Sequence, residues 1–179
     1  MTFLELVNLR QSVRNYSQKP VPRSLIDKCL DAARLAPSAC NSQPWSFIVI
    51  DDKEMKDRIA KGAFSGIYAI NAFVKEAPVI IVVITERSRY VAQLGSYFRG
   101  TSYNLIDIGI ACEHLVLQAA EEGVGTCWIG WFNEKTVKKI LGLGRGKKVD
   151  VLITMGYPKE TEPRDKRRKA LHEIGRYLT

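Results

Sequence analysis

No stretch of this chain is apolar for long enough to cross a bilayer. The longest candidate, Tyr103 to Ala120, is interrupted by Asp107, Glu113, His114 and Gln118, whereas a membrane span needs about twenty nearly uncharged residues. It reads instead as a buried helix. The first residues, Met1-Thr2-Phe3-Leu4-Glu5, have no basic region and are cut by a carboxylate, which reads against a secretory leader and places the chain in the cytoplasm. Histidine is scarce: His114 and His172 have no cysteine or carboxylate at triad or metal-ligand spacing, so both are expected to be structural. The four cysteines, Cys29, Cys40, Cys112 and Cys127, include no CxxC pair. That spacing builds neither a zinc site nor an iron–sulfur cluster, and the thiols are expected to be reduced and in the core. There is no Walker loop. Gly142-Leu-Gly144-Arg-Gly146 has the glycine content of a nucleotide loop but follows a helix and precedes a strand, the reverse of the order a Rossmann fingerprint requires. The sequence therefore provides no dedicated nicotinamide domain.

Net negative charge is also missing; the balance is +8. A nucleic-acid surface would group its basic residues on one face beside exposed aromatics. Only the tail comes close, with Arg164, Lys166, Arg167, Arg168 and Lys169, and there Glu160, Glu162, Asp165 and Glu173 dilute the charge and no aromatic is interleaved. A small phosphorylated ligand needs fewer cations, so the expectation is such a ligand and no nucleic acid. With 179 residues and 46% hydrophobic content the chain can bury one substantial core. It reads as a single domain over residues 1–179, without internal repeats.

Along the chain, an amphipathic opening with Phe3, Leu6 and Val7 gives way at Arg10 to a polar segment ending in Lys19-Pro20-Val21-Pro22. Ser24 is a plausible N-cap with Asp27 three residues on, and Leu25, Ile26, Cys29, Leu30 and Ala33 form an apolar stripe as far as Ala36-Pro37. Trp45 to Ile50 is aromatic and β-branched, a strand, and Asp51-Asp52 open a charged helix toward Lys61. Val79 to Ile84 is apolar at every position, which predicts a central strand covered on both faces. From about Thr101 to Glu122 apolar residues occur almost all round the helix, including Leu105, Ile106, Ile110 and Leu117. Such a helix must be covered on every side, and a subunit interface is the economical cover. Gly123-Val-Gly125 ends it, Thr126 to Trp131 reads as a short strand or strand-like loop, and Glu134 to Leu141 as a last helix before the strand Val149 to Met155. The charged residues after Gly156-Tyr157-Pro158 cannot build a core and are expected to lie along another surface.

Three segments could carry chemistry. In Arg10-Gln11-Ser12-Val13-Arg14 an extended backbone places residues 10, 12 and 14 on one side. Two guanidinium groups and a hydroxyl then converge, a donor set that suits a phosphate monoester; a solvated basic turn is the bland alternative. Pro37-Ser38-Ala39-Cys40-Asn41-Ser42-Gln43-Pro44-Trp45 is a polar loop whose Asn41 and Gln43 could meet the amide-like edge of a flat heterocycle, or simply bond the local backbone. Gly123 to Trp131 sets small residues and two indoles where a helix hands over to a strand, suiting close approach to a planar ligand, although both indoles could equally be core.

Taken in order, Arg10-x-Ser12-x-Arg14, Pro37-Ser38-x-x-Asn41-x-Gln43-Pro44-Trp45, Gly123-x-Gly125-Thr126-x-Trp128-Ile129-Gly130 and the late Lys166-x-Arg168 resemble the FMN-dependent nitroreductase family, across nearly the whole chain. The resemblance implies an α+β fold, a central mostly antiparallel sheet flanked by helices, in an intertwined homodimer whose C-terminal segments cross to the partner. It implies an oxidoreductase that uses NADH or NADPH to reduce a small acceptor such as a nitroaromatic or quinone, by a ping-pong mechanism with FMN carrying the redox step. No side chain need act as a nucleophile, and no metal is implied. Carried over by position, Arg10, Ser12, Lys166 and Arg168 stand near the ribityl phosphate and Arg14 near the pyrimidine edge. Gln11 joins the cofactor-binding set. Pro37, Ser38, Ala39 and Asn41 would come from the other subunit, Trp128, Ile129 and Gly130 would pass close to the ring, and Asn71 stands where the family often has an amide contact. Two departures bear on the acceptor: the chain is compact, and Gly130-Trp131 stands where some members have an acidic residue followed by glycine. The alternatives are a non-catalytic FMN-binding or storage protein and a flavin-consuming or dehalogenating relative. The latter two need a lid, and no clear lid segment is evident.

Overall fold

The structure is a computed structural model that describes residues 1–86, 100–160 and 162–178. Helix α1 (Phe3–Leu9) starts on Thr2, whose hydroxyl accepts from the Glu5 N–H while the Glu5 carboxylate accepts from the Thr2 N–H, a reciprocal cap. Helix α2 (Arg23–Arg34) starts two residues earlier than its sequence suggests. Pro22 holds the cap position without a side-chain bond, so Ser24 lies inside the first turn. The fixed φ of Pro22 suits the extended conformation of the cap position, φ −60°. Strand β1 (Trp45–Ile50) leads through Asp52, which caps α3 (Lys53–Ala63) by accepting from the Met55 N–H.

A 3-10 stretch over Gly66–Glu76 follows, an element without a periodic signal in the sequence. Next come strand β2 (Val79–Thr85), helix α4 (Tyr103–Glu121), strand β3 (Gly125–Ile129), helix α5 (Glu134–Ile140) and strand β4 (Lys148–Gly156). One further turn, α6 (Leu171–Ile174), lies in the tail.

The sheet is wholly antiparallel, in the order β1-β2-β4-β3. All of β2 is buried, as a run of β-branched residues at the sheet centre requires. Because side chains alternate along a strand, Val79, Ile81 and Val83 face one core with Ile26, Cys29 and Ala33 of α2 and Ala111, Cys112 and Leu115 of α4. Ile80, Val82 and Ile84 face a second core with Ile59 and Ala63 of α3 and Val137 of α5. Each such side chain contributes about 1.5–3 kcal/mol on burial, so these two layers hold the sheet rigid beneath its β3 edge.

Helix α4 is only partly covered. Ile108, Ala111, Leu115, Val116 and Ala119 are buried, while Leu105 and Ile106 remain about half exposed. The tail is exposed as well, with Leu171, Ile174 and Leu178 largely open to solvent. Cys40 departs from the expectation of core thiols. Cys29, Cys112 and Cys127 are buried, and burial pushes the Cys29 and Cys112 thiols up to about 12, but Cys40 is exposed on a loop with φ 53°. Among the described residues no helix is long and apolar enough to cross a membrane.

Candidate functional site

The N-terminal segment is sewn to the free edge of the sheet. Ser12 bridges Thr126 in parallel, the Val13 N–H donates to the Thr126 carbonyl (2.8 Å), and the Ser17 N–H donates to the Tyr157 carbonyl (2.8 Å). The fully buried Tyr16 donates its hydroxyl to the Val13 carbonyl (2.6 Å) and lies 2.7 Å from the Thr154 hydroxyl; burial raises its pKa. Gly125 makes the close approach possible. A Cβ at that position would overlap Val13 Cγ2 and stand 2.8 Å from Val13 Cβ. Gly125 thus serves the docking of the Arg10–Arg14 segment. Gly125→Ala is expected to lower the unfolding free energy by about 2 kcal/mol, measured by denaturant titration, and to loosen whatever the segment holds.

From that edge, Arg10, Gln11, Ser12 and Arg14 line one wall of a cavity of about 380 Å³, and residues 164–168 of the tail line the other. Residues more than 150 positions apart therefore share one site. The tail reaches it by hydrogen bonds to backbone. Lys166 Nζ donates to the Val7 carbonyl (2.7 Å) and the Asn8 carbonyl (2.5 Å) at the C-terminal end of α1, where the helix leaves its carbonyls unpaired. Partial burial, and then the neighbouring Arg10 and Arg168 charges, hold the Lys166 pKa below its ordinary value. Arg168 donates to the Arg167 carbonyl (2.7 Å).

Arg10 is the most informative residue. Its Nε is buried and has no hydrogen-bond acceptor among the described residues; the nearest carboxylate oxygen, on Glu113 of α4, is 3.7 Å away. A buried guanidinium N–H without an acceptor is costly, and an anion in the cavity would satisfy it. Arg14 is exposed at the rim, its guanidinium carbon 6.0 Å from the centre of the Phe73 ring. Cations outnumber carboxylates here: Asp165 is the one acid on the cavity wall, against Arg10, Arg14, Arg164, Lys166, Arg167 and Arg168. The donor chemistry fits a phosphate.

Of the sequence-derived candidates, Arg10, Gln11, Ser12, Arg14, Lys166 and Arg168 come together in this cavity. Pro37, Ser38, Ala39 and Asn41 do not line it. They lie on a loop fixed to α4 by Asp107, whose carboxylate accepts from the Ala39 N–H (3.0 Å) and the Ser42 hydroxyl (3.4 Å). Asp107 is only 4% exposed. The loop carries three non-glycine residues at positive φ, Cys40, Asn41 and Gln43, and such strain tends to persist where a structure uses it. The Gln43 side chain donates to the Asn41 carbonyl and to Asn41 Oδ1, so the two amides anticipated as ligand contacts first hold one another.

Trp128 packs partly buried against the first core, and Ile129 is turned into the second, so the backbone is what Ile129 offers a ligand; Gly130 is exposed. Trp131 lies beyond the end of β3 and is 54% exposed. Its indole N–H donates to the Ile67 carbonyl (2.9 Å), its ring stands 5.2 Å from that of Tyr68, and its carbonyl accepts from Asn71 Nδ2 (2.9 Å). Asn71 therefore spends its amide N–H on the indole turn and keeps Oδ1 for other partners. His114 Nδ1 lies 3.2 Å from the Ala32 carbonyl between α2 and α4, a structural place. Three residues of the site region were not read as site residues from the sequence: Asp107, Glu113 and Arg164. The first two had a signal, being carboxylates in an otherwise apolar helix.

The fold and the cavity define an α+β protein with a cation-lined cavity assembled from both ends of one chain. The chain belongs to the nitroreductase family, whose profile matches residues 7–157. It is similar to an FMN-dependent nitroreductase from Clostridium difficile R20291, with a TM-score of 0.78 and 26% identity over 99% of each chain. It is 28% identical over 183 positions to an NADH dehydrogenase of Thermus thermophilus, covering 84% of each. It is 30% identical over 196 positions to iodotyrosine deiodinase 1 of Pongo abelii, covering 96% of this chain and 67% of the deiodinase.

Proposed function

We propose that this chain is a cytoplasmic FMN-dependent oxidoreductase, a homodimer that takes reducing equivalents from NADH or NADPH and delivers them to nitroaromatics, quinones or related small electrophiles. The observation that carries the reading is the cation-lined cavity with the buried, acceptor-less Arg10 Nε pointing to an anion. Bound FMN would supply the two-electron chemistry. The chain's own residues bind and orient. Arg10, Ser12 and Arg168 present donors to the phosphate, Lys166 fixes the tail against α1, and Gln11 joins the two walls. Arg14 adds positive charge at the rim, toward the pyrimidine edge.

Pro37, Ser38, Ala39 and Asn41 do not line this chain's own cavity and are held on a loop by Asp107; their proposed role is to serve the cavity of a second copy. The half-exposed Leu105 and Ile106 of α4 support an interface there. Trp128, Ile129 and Gly130 bring the backbone at the end of β3 toward the ring, with Asn71 beside them through Trp131. Four unpaired thiols support a reducing compartment. No glycine loop stands in strand-to-helix order, so donor and acceptor are proposed to take turns at one open face, giving parallel double-reciprocal lines. The likeness to a deiodinase favours a second reading, reductive removal of halogen from an aromatic ring.

The test is the visible spectrum of the purified protein, followed by NADH and NADPH consumption with menadione, nitrofurazone and an iodinated phenol. A yellow protein that turns over the first two supports the oxidoreductase; turnover of the iodinated phenol alone supports the second reading. A colourless protein that cannot take up FMN contradicts both. Trp131→Ala is expected to change the ratio of nitrofurazone to menadione rates by about threefold or more, the scale of one lost apolar contact. Equal loss on both acceptors would remove Trp131 from the pocket wall.

A further inference from the structure

Arg164 has no part in the pattern that the family resemblance implies, yet it makes most of the connections between the two walls of the cavity. Gln11 Oε1 accepts from both the backbone N–H of Arg164 and its Nε, each at 3.2 Å. Arg164 Nη2 donates to the Ser12 carbonyl at 2.6 Å. Gln11 Nε2 in turn donates to the Glu162 carbonyl at 3.4 Å. These four bonds join residues 11 and 12 to residues 162–164.

The chemistry of the clasp is specific to Arg. The planar guanidinium can serve a side-chain amide oxygen and a backbone carbonyl at once from two different nitrogens, which an ammonium on a flexible stem does not reproduce. Its position is also demanding. The tail brings Lys166 and Arg168 beside Arg10 and Arg14, and like charges at such range repel through partly desolvated surroundings. Something must hold the tail down before an anion arrives. The bonds of Arg164 and the two bonds from Lys166 to α1 do so.

We infer that Arg164 is a positioning residue: its clasp on Gln11 and Ser12 preorganises the tail cations, so that a phosphorylated ligand meets a site already closed against their mutual repulsion. This role rests on the phosphate reading above. It separates two parts of the ligand, because the clasp acts on the phosphate end and not on the ring. Riboflavin has the same ring without the phosphate, so it reports on everything except the clasp.

The experiment titrates apoprotein of the wild type, Arg164→Ala and Arg164→Lys with FMN and with riboflavin, following quenching of flavin fluorescence. Wild type should prefer FMN strongly. Arg164→Ala should raise the FMN Kd about thirtyfold, the effect of its two lost side-chain hydrogen bonds, while the riboflavin Kd moves less than about twofold. Arg164→Lys, which keeps the charge and loses the fork, should be nearly as weak as Arg164→Ala. Restoration of FMN affinity by Arg164→Lys would make Arg164 a simple charge and overturn the clasp. Parallel weakening of FMN and riboflavin would mean general damage and overturn it too. A wild type that binds FMN no better than riboflavin would remove the phosphate site itself, a failure distinct from these, and the clasp with it.

Discussion

The double variant Arg10→Ala, Arg14→Ala will purify without colour. Arg10 brings a buried N–H that lacks an acceptor among the described residues, and Arg14 stands exposed on the same cavity wall. Hydrogen bonds to charged groups are worth about 1.5–3 kcal/mol each. Losing both guanidinium groups therefore removes about 4 kcal/mol of binding, roughly a thousandfold in the FMN Kd. The fold should survive, because the structural partner of Arg10 is Glu113 at 3.7 Å, and that carboxylate, 43% exposed, turns to solvent when the guanidinium is removed. Flavin absorbance and FMN titration measure the binding loss, and a melting curve close to wild type shows that the loss is local. A yellow variant that binds FMN within about tenfold of wild type would place the phosphate elsewhere.

Asp107→Ala should produce the second large effect, far from that cavity. The buried carboxylate accepts from the Ala39 N–H and the Ser42 hydroxyl, and between those anchors Cys40 sits at φ 53° and Asn41 at φ 52°. The left-handed region costs an ordinary residue roughly 1–2 kcal/mol, so the loop keeps this shape only while it is tied down. Removing the carboxylate should cost about 2 kcal/mol of stability and let residues 38–41 relax. If those residues cover the flavin of the other subunit, FMN affinity should fall about a hundredfold while the cations are untouched. Asp107→Asn retains an acceptor and should lie between. Cys40→Gly, which removes the steric cost at one strained position, should stabilise the protein by about 1 kcal/mol and partly restore the Asp107→Asn variant. Unchanged FMN binding in Asp107→Ala would show that the loop serves only this chain's fold.

Periodicity made the frame of the molecule readable in advance. Val79 to Ile84 admits only a doubly covered strand, and β2 lies at the sheet centre with alternate residues in two cores. The stripe Ile26, Cys29, Ala33 faces α4 as its spacing requires. The shared side of Arg10, Ser12 and Arg14 was readable from their alternation, and the cavity brings them together with Lys166 and Arg168. Less visible were features that depend on tertiary approach. Gly125 suggested room for a ligand, but the room is taken by Val13. The Gly66–Glu76 stretch is irregular and tied down through Asn71 and Trp131, contacts that span about 60 residues and leave no local pattern. Asp107 looked like an interruption of an apolar helix, and only the fold reveals the strained loop above it. Cys40 looked like the other cysteines, yet it sits on that loop in a conformation that takes it out of the core.

The central claim is that one chain's cations and another chain's Ser38–Asn41 loop share a single flavin. It is tested most directly by co-expressing two defective chains with different tags, one carrying Arg10→Ala and Arg14→Ala, the other Asp107→Ala, and purifying the mixed dimer. The shared site predicts that the mixed dimer regains one tightly bound FMN per two chains, since one of its two sites combines intact cations with an intact loop. A mixed dimer as colourless as either parent would mean that cations and loop act within the same chain, and would contradict the account.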